Sequence, residues 1–148
     1  MILSGAERQF VAEARTGTLA SIDPRGRPRL VPICFVVVDE DEATVVYTPL
    51  DDKPKRSSDP LRLARVRDIA ARPAVELLVD RWSEDWSRLG WLRLSGEATL
   101  VDAGDVHPEV IAGLRAKYPQ YNGHRLEARP ALRLEVQRTT TWGTLLTP

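Results

Sequence analysis

The sequence predicts a mainly β fold, an antiparallel β-barrel that carries a few helices. Two observations predict it: apolar, β-branched runs outnumber helical patterns, and most of these runs follow one another through short turns. The six predicted strands cover residues 16–22, 29–38, 44–48, 74–82, 90–102 and 130–143. Because tight turns join the first three, an antiparallel barrel with helices in its crossovers is favoured over a doubly wound parallel sheet.

The first two strands form a predicted hairpin around residues 23–28. In this turn Pro24 fixes φ, and Gly26 is free to adopt a positive φ. Pro32 interrupts the second strand and has no amide for a ladder there. It therefore predicts a sheet edge, a bulge or a position that faces a ligand.

The long strands late in the chain show clear alternation of side chains. Within 90–102, Trp91, Arg93 and Ser95 lie on one side of the predicted strand, and Leu92 and Leu94 lie on the other. Residues 130–143 alternate in the same way. Both segments are therefore expected to bury one face only.

Three helices are predicted, each from a polar N-terminal cap. The caps are Ser4, Asp59 and Asp105. Ser4 can form a capping box with Glu7, and the second and third helices run to about Ala71 and to Lys117.

Composition favours one cytoplasmic domain spanning residues 1–148. Lys plus Arg and Asp plus Glu are equal at 21 each, which argues against a protein devoted to nucleic acid or to anionic membranes. No run is long enough to span a bilayer, and the N-terminus does not resemble a signal peptide. Cys34, the one cysteine, is interpreted as a small buried hydrophobe, so no disulfide is expected.

A local excess of cationic residues lies in the segment that connects the third predicted strand to the second predicted helix and in that helix. Residues 53–72 hold seven Lys or Arg and two Asp. Lys53, Lys55 and Arg56 precede the helix start, where free amides also favour an anion, so they predict a phosphate site. A solvated helix face is the other interpretation of a charge run, and it is the one given to Arg62, Arg65 and Arg67.

Three of the four tryptophans fall within residues 80–98. Trp82 and Trp86 are at helical spacing, and Trp91 is on a strand. These rings are typical either of core or dimer-interface packing or of a flat wall for a planar ligand.

No motif in the chain supplies an obvious catalytic acid, base or nucleophile. His107 and His124 have no Cys or carboxylate at metal-ligand spacing, so no metal site is predicted. Phosphate-loop and dinucleotide-binding glycine motifs are also absent from the sequence. An enzyme of this sequence would therefore rely on a cofactor for its chemistry.

Three runs of the sequence resemble a known superfamily. They are GTLASIDPRGRPRLVPICFVV, VVYTPLDDKPKR and RLARVRDIAARPAVELLVDRWSEDWSRLGWLRLSGEATLVD. Together they resemble the pyridoxamine 5'-phosphate oxidase-like, FMN-binding-like split β-barrel superfamily over residues 10–142. The later runs are most similar to its actinobacterial branch of probable enzymes that use the deazaflavin F420.

This resemblance implies a six-stranded split barrel that forms a homodimer, with two flavin or deazaflavin sites between subunits. It implies that Lys53, Lys55 and Arg56 bind the cofactor phosphate and that Thr48 faces the same region. It also implies that a strand backbone runs beside the cofactor ring and that two side chains, from the partner subunit, line the cleft. The backbone positions include Arg29, Val31, Pro32 and Ile33, and the two cleft side chains are Trp91 and Arg93.

The resemblance implies F420-dependent hydride transfer to an unsaturated small molecule, because the R-x-x-x-L-K signature of the FMN-using oxidases is missing. An FMN-dependent oxidoreductase is the near alternative. A non-catalytic carrier or sensor of flavin, haem or another tetrapyrrole is an alternative of a different class. A small nucleic-acid-binding barrel finds support only in residues 91–93.

Overall fold

The computed structural model describes residues 1–50 and 63–146. Within them, seven strands form one antiparallel sheet, and three α-helices accompany it. The strands are β1 (Gly17–Ile22), β2 (Pro28–Ile33), β3 (Val36–Glu40), β4 (Ala43–Pro49), β5 (Ala74–Arg81), β6 (Gly90–Val101) and β7 (Ala131–Gly143). The helices are α1 (Gly5–Glu13), α2 (Ala64–Ala71) and α3 (Pro108–Lys117). The mainly β prediction is confirmed.

The order of the strands shows how the sheet curls. It is β2-β1-β5-β6-β7-β4-β3, so β2 and β3 are the two edges. These edge strands are nevertheless consecutive in the chain, joined through Cys34 and Phe35 alone. Three residue steps span at most about 11 Å. The two edges therefore approach each other at this point, and the sheet is an open barrel.

The prediction of six strands is wrong because the predicted strand 29–38 is two strands. The run breaks at Phe35, which is fully buried. Its amide donates to the Tyr118 hydroxyl oxygen (3.1 Å), and the same hydroxyl lies 3.3 Å from the Phe35 carbonyl oxygen. β2 then pairs with β1, and β3 pairs with β4. Pro32 lies on the edge strand β2, opposite Thr18, which agrees with the edge interpretation of this proline.

Two apolar clusters hold the fold together. The barrel interior contains the fully buried Leu77, Leu92 and Leu94, and α3 packs with β3 and β4 in a second cluster that includes Leu114. Each such side chain contributes roughly 1.5–3 kcal/mol when it is buried. Because β4 contributes to both clusters, it is buried on both faces. The predicted alternation of β6 is confirmed by the burial of Leu92 and Leu94.

The helix boundaries follow the predicted caps with two corrections. The Ser4–Glu7 capping box is present. The third helix begins at Pro108 with His107 as its cap, not Asp105, because the His107 Nδ1 accepts the Glu109 amide at 3.1 Å. The second helix ends at Ala71 as predicted, but it begins at Ala64 instead of after Asp59, because Leu63 is extended and stands at the cap position; Asp59 and Pro60 themselves lie outside the described residues. None of the helices in the described part of the chain is long and apolar enough to cross a membrane.

One lysine is enclosed where α3 meets the junction between β2 and β3. The Lys117 Nζ lies 4.0 Å from the centre of the Phe35 ring and 5.3 Å from that of Tyr118. It is buried, and no hydrogen-bond partner for it exists among the described residues. Burial lowers the pKa of Lys117 to about 8, with the nearby Arg15 charge acting in the same direction and Cys34 opposing it.

We expect the free energy of unfolding to rise between pH 8 and pH 9.5. The folded-state pKa of Lys117 is below the unfolded value of about 10.4, so the unfolded chain binds more protons in this window. Lys117→Met should flatten the rise and add on the order of 1 kcal/mol at pH 7, after discounting for partial exposure. Urea unfolding at several pH values measures the free energy of unfolding of both proteins. If that free energy rises with pH as steeply in Lys117→Met as in the wild type, Lys117 is not the cause of the rise.

Candidate functional site

The β1–β2 hairpin separates two concave surfaces, one polar and one largely apolar. Successive residues of β2 point to opposite faces, so Arg29 belongs to one surface and Leu30 to the other. We call the first the arginine cleft and the second the outer groove.

The arginine cleft lies between the hairpin turn and α2 and has a volume of about 500 Å³. Its lining residues are Ile22, Asp23, Pro24, Arg29, Ala64, Arg67, Asp68, Ala71 and Arg72. Three of these carry guanidinium groups, which suit an anion such as a phosphate.

Both carboxylates of the arginine cleft are already engaged. Asp68 is 4% exposed, and its Oδ2 accepts the Arg29 Nε–H at 2.7 Å. Asp23 accepts the backbone amides of Arg27 and Arg25, each at 2.9 Å, and these bonds hold its pKa below the ordinary value. Neither carboxylate therefore needs a ligand cation, and the positive charge of the cleft is not fully neutralised by them.

The two walls of the arginine cleft are linked twice. Arg29 on β2 bonds to Asp68 on α2, and the Arg72 Nη1 at the end of α2 donates to the Asp23 carbonyl oxygen at 3.1 Å. The turn that carries Asp23 is fixed in addition by Gly26, whose φ is +79° as the sequence predicts. The cleft is therefore bounded by ordered elements.

The outer groove runs across β2, β1, β5 and β6 and has a volume of about 520 Å³. Its lining residues are Thr18, Ala20, Leu30, Glu76, Leu78, Asp80, Trp91 and Arg93. Leu30 and Leu78 are 66% and 38% exposed, which is unusual for neighbouring leucines on a sheet. The groove thus offers an apolar floor with a tryptophan at one side.

A small polar network borders the apolar floor. The Ser95 hydroxyl donates to the Glu76 Oε2 at 2.5 Å, and the Arg93 Nε lies 3.6 Å from the same oxygen. The Arg93 guanidinium carbon is 5.9 Å from the centre of the Trp91 ring. These contacts orient Arg93 beside the indole.

The structure places the sequence-predicted residues in several environments. Arg29 lines the arginine cleft, whereas Trp91 and Arg93 line the outer groove. Pro32 is exposed, Val31 and Ile33 pack toward the barrel interior, and Thr48 is buried opposite Leu132 on β7. Lys53, Lys55 and Arg56 lie outside the described residues. Among the described residues, Arg29 therefore lines a different surface from Trp91 and Arg93.

Two further cleft residues, Arg72 and Asp68, are not among the sequence-predicted site residues, and Arg67 was predicted on a solvated helix face. Arg67 is exposed as predicted, but it faces the cleft as well. Spacing gives no signal for them, because Arg67 and Arg72 are five residues apart and not at the i,i+3 or i,i+4 spacing of neighbours on a helix face.

Trp82 and Trp86 do not lie on a helix. They belong to the connection between β5 and β6, which contains one short 3₁₀ turn, and they are 67% and 73% exposed. Trp142 on β7, the cross-strand neighbour of Trp91, is 54% exposed. The core interpretation of Trp82 and Trp86 is therefore excluded within the chain, and an interface or a ligand wall is left.

No three His, Cys, Asp or Glu side chains within residues 1–50 and 63–146 come together as a possible metal site. The hairpin thus carries a cleft lined by three arginines on one face and an apolar groove on the other.

The described strands define an open, seven-stranded antiparallel β-barrel. The chain belongs to the pyridoxamine 5'-phosphate oxidase family, whose model matches residues 3–143. A comparison with curated proteins found no match.

Three solved structures illustrate the likeness in fold. The conserved hypothetical protein Rv2991 from Mycobacterium tuberculosis is 23% identical with a TM-score of 0.68, over 97% of this chain and 86% of its own. The heme storage protein HutZ from Vibrio cholerae is 18% identical with a TM-score of 0.64, over 97% and 96%. A protein named F420 reductase is 18% identical with a TM-score of 0.61, over 94% and 98%. At these identities the likeness shows the fold.

Proposed function

We propose that the protein is an F420-dependent reductase that transfers hydride from the reduced deazaflavin to an unsaturated small molecule. The observation that carries the proposal is the arginine cleft, which opens beside the edge strand β2. An anionic end of a cofactor can bind there while its planar part follows the strand edge. The resemblance of the sequence to the F420-using branch supports the choice of deazaflavin over FMN.

The residues of the arginine cleft fit a phosphate group. Arg29, Arg67 and Arg72 would bind it, joined by the cationic residues Lys53, Lys55 and Arg56. The backbone of residues 31–33 would border the ring, since Pro32 leaves the edge of β2 without an amide there. Thr48 is buried and lines neither concave surface, so we give it a supporting role in β4.

The cofactor would supply hydride chemistry, and the chain would supply binding and orientation. Arg29 would fix the anionic end of the cofactor, and an apolar surface would exclude water from the acceptor. Trp91 and Arg93 on the outer groove would contact the ring or the acceptor from the partner subunit. No residue is assigned as proton donor.

A titration monitored by tryptophan fluorescence tests the cofactor. All four tryptophans lie between residues 82 and 142, three of them largely exposed, so a bound ring should quench them. We expect tight binding of F420 and weak binding of FMN. Tight binding of FMN alone would identify the cofactor as FMN instead of F420. If neither cofactor binds, the proposed function is wrong.

The dimer is part of this proposal because the outer groove is incomplete within one chain. Leu30 and Leu78 in the groove and Trp142 beside Trp91 are exposed, and monomeric proteins rarely keep such an apolar surface. A second copy covering this face would exclude water from it. It would also bring Trp91 and Arg93 to a partner's hairpin.

We expect Leu78→Glu to convert a dimer to a monomer, because it would bury a charge in the interface. Sedimentation velocity measures the change. Thr99→Glu is the matched control, since Thr99 is exposed on β6 outside the outer groove, and it should leave the dimer intact. A wild-type monomer, or a dimeric Leu78→Glu variant, would contradict the use of this face.

A carrier or sensor of haem is the second candidate, favoured by solved structures of similar fold that include the heme storage protein from Vibrio cholerae and a heme binding protein from Mycobacterium smegmatis. Neither histidine is well suited as an axial ligand. His107 uses its Nδ1 to cap α3, and His124 lies edge-on to the Tyr121 ring. A hemin titration followed in the Soret region distinguishes the two candidates.

A further inference from the structure

We propose that Asp68 is a positioning residue for anion binding in the arginine cleft: it holds the Arg29 guanidinium by the Nε–H so that the two terminal amino groups stay available to the anion. The inference rests on the proposed function only in taking this cleft as the anion site. According to this inference, the negatively charged Asp68 favours the binding of a negatively charged ligand.

The geometry of the pair carries the inference. Asp68 is a buried carboxylate on α2, and its Oδ2 lies 2.7 Å from the Arg29 Nε. The Arg29 side chain is 41% exposed, and it lines the cleft. A guanidinium is rigid and planar, so a bond at Nε fixes the plane in which the terminal amino groups lie.

Two effects of Asp68 on an anion oppose each other. Its charge repels the anion, but that charge is already paired with Arg29 at hydrogen-bond distance. Its bond orders a long side chain that would otherwise lose rotamer freedom when the anion binds. The ordering of one such side chain changes affinity by about two- to tenfold. We infer that the ordering effect is the larger one.

Removing the Asp68 charge should leave α2 in place. Val66 and Ile69 on the same helix are buried at 7% and 2% exposure. The Arg72 bond to the Asp23 carbonyl oxygen joins the helix to the hairpin independently. A change in anion binding in Asp68→Asn would therefore report on Arg29 rather than on loss of the helix.

The test is a titration of the full chain with inorganic phosphate, followed in ¹H–¹⁵N spectra that include the arginine Nε–H signals. Asp68→Asn should bind phosphate about two- to tenfold more weakly although it loses a negative charge, because a neutral amide oxygen holds the Arg29 Nε–H less strongly than a carboxylate does. Asp105→Asn makes the same change of net charge at an exposed residue outside the cleft and should bind like the wild type. The Arg29 Nε–H signal, assigned by its loss in Arg29→Lys, should shift in Asp68→Asn only.

One more variant keeps the test decisive if Asp68→Asn folds poorly, and a double variant shows whether the effect of Asp68 acts through Arg29. Asp68→Glu keeps the charge but displaces the carboxylate, so positioning predicts weaker phosphate binding, whereas simple electrostatics predicts unchanged binding. In an Arg29→Lys background, which lacks the guanidinium, Asp68→Asn should no longer weaken binding.

Equal or tighter phosphate binding by Asp68→Asn, or an equal loss in the Arg29→Lys background, would overturn the positioning role while leaving the anion site intact. Absence of phosphate binding by the wild type would overturn the anion site itself, and with it both proposals. The two failures are therefore distinguishable.

Discussion

Arg29→Gln is expected to bind the phosphate-bearing cofactor about 10- to 150-fold more weakly than the wild type. A charge-assisted hydrogen bond contributes roughly 1.5–3 kcal/mol, and each 1.4 kcal/mol corresponds to a factor of about ten in affinity. Glutamine carries an N–H at the same distance along the side chain as the arginine Nε. The variant can therefore still donate to Asp68 while the charge and the terminal amino groups are lost.

Fluorescence titration with FMN and with riboflavin isolates the phosphate from the ring. The loss in Arg29→Gln should appear with FMN and with F420, which both carry a phosphate, and not with riboflavin, which has none. Arg25→Gln is the control: Arg25 is an exposed arginine of the same turn that does not line the cleft. A similar loss for riboflavin would show that Arg29 supports the ring or the fold instead.

The strands could be predicted from the sequence where one face is buried and the other exposed. β6 alternates up to Leu94 and β7 from Leu132 to Val136, and this periodicity is a local property of the chain. The break between β2 and β3 has no local signal, because the apolar run continues through it. What ends the ladder is a hydrogen bond from Phe35 to Tyr118, 83 residues later in the chain.

The candidate site could be predicted only in part, because it too depends on contacts between residues that are far apart in the chain. Arg29 was reached through the resemblance of its strand to a family, and a local excess of cations marked the segment around α2. The pairing of Arg29 with Asp68, 39 residues apart, is a tertiary contact that no spacing rule reveals. A charge run on a helix is usually solvated, so the pattern alone could not show that Arg67 also faces a cleft.

The role of the outer groove could also not be predicted from the sequence alone. Alternation places Trp91 and Arg93 on one side of β6, and the structure agrees. Whether that side meets solvent, a ligand or a second copy depends on what covers the whole face. Leu30 and Leu78 come from two other strands, so their contribution appears only when the sheet is assembled.

Gly96→Ala is expected to destabilise the fold by about 3 kcal/mol or more, because the added methyl group has no space. A Cβ at this position would lie 1.9 Å from the Glu135 carbonyl oxygen and 2.9 Å from its carbonyl carbon. Both are backbone atoms of the paired strand β7 and cannot rotate away. The close approach occurs where the register of β6 against β7 shifts, between Ser95 and Gly96, so the irregularity depends on the glycine.

Gly113→Ala is the matched substitution and should have the opposite sign. Gly113 lies within α3, and its added methyl group would meet only the Val36 Cγ1, at an ordinary 3.8 Å. Alanine in a helix interior is favoured over glycine by about 0.5–1 kcal/mol. Thermal unfolding should therefore show a melting temperature lowered by at least about 6 °C for Gly96→Ala and slightly raised for Gly113→Ala. Equal effects of the two substitutions would mean that β6 and β7 do not approach as closely as described, and the bulge that sets the register of the last strand would have to be reassigned.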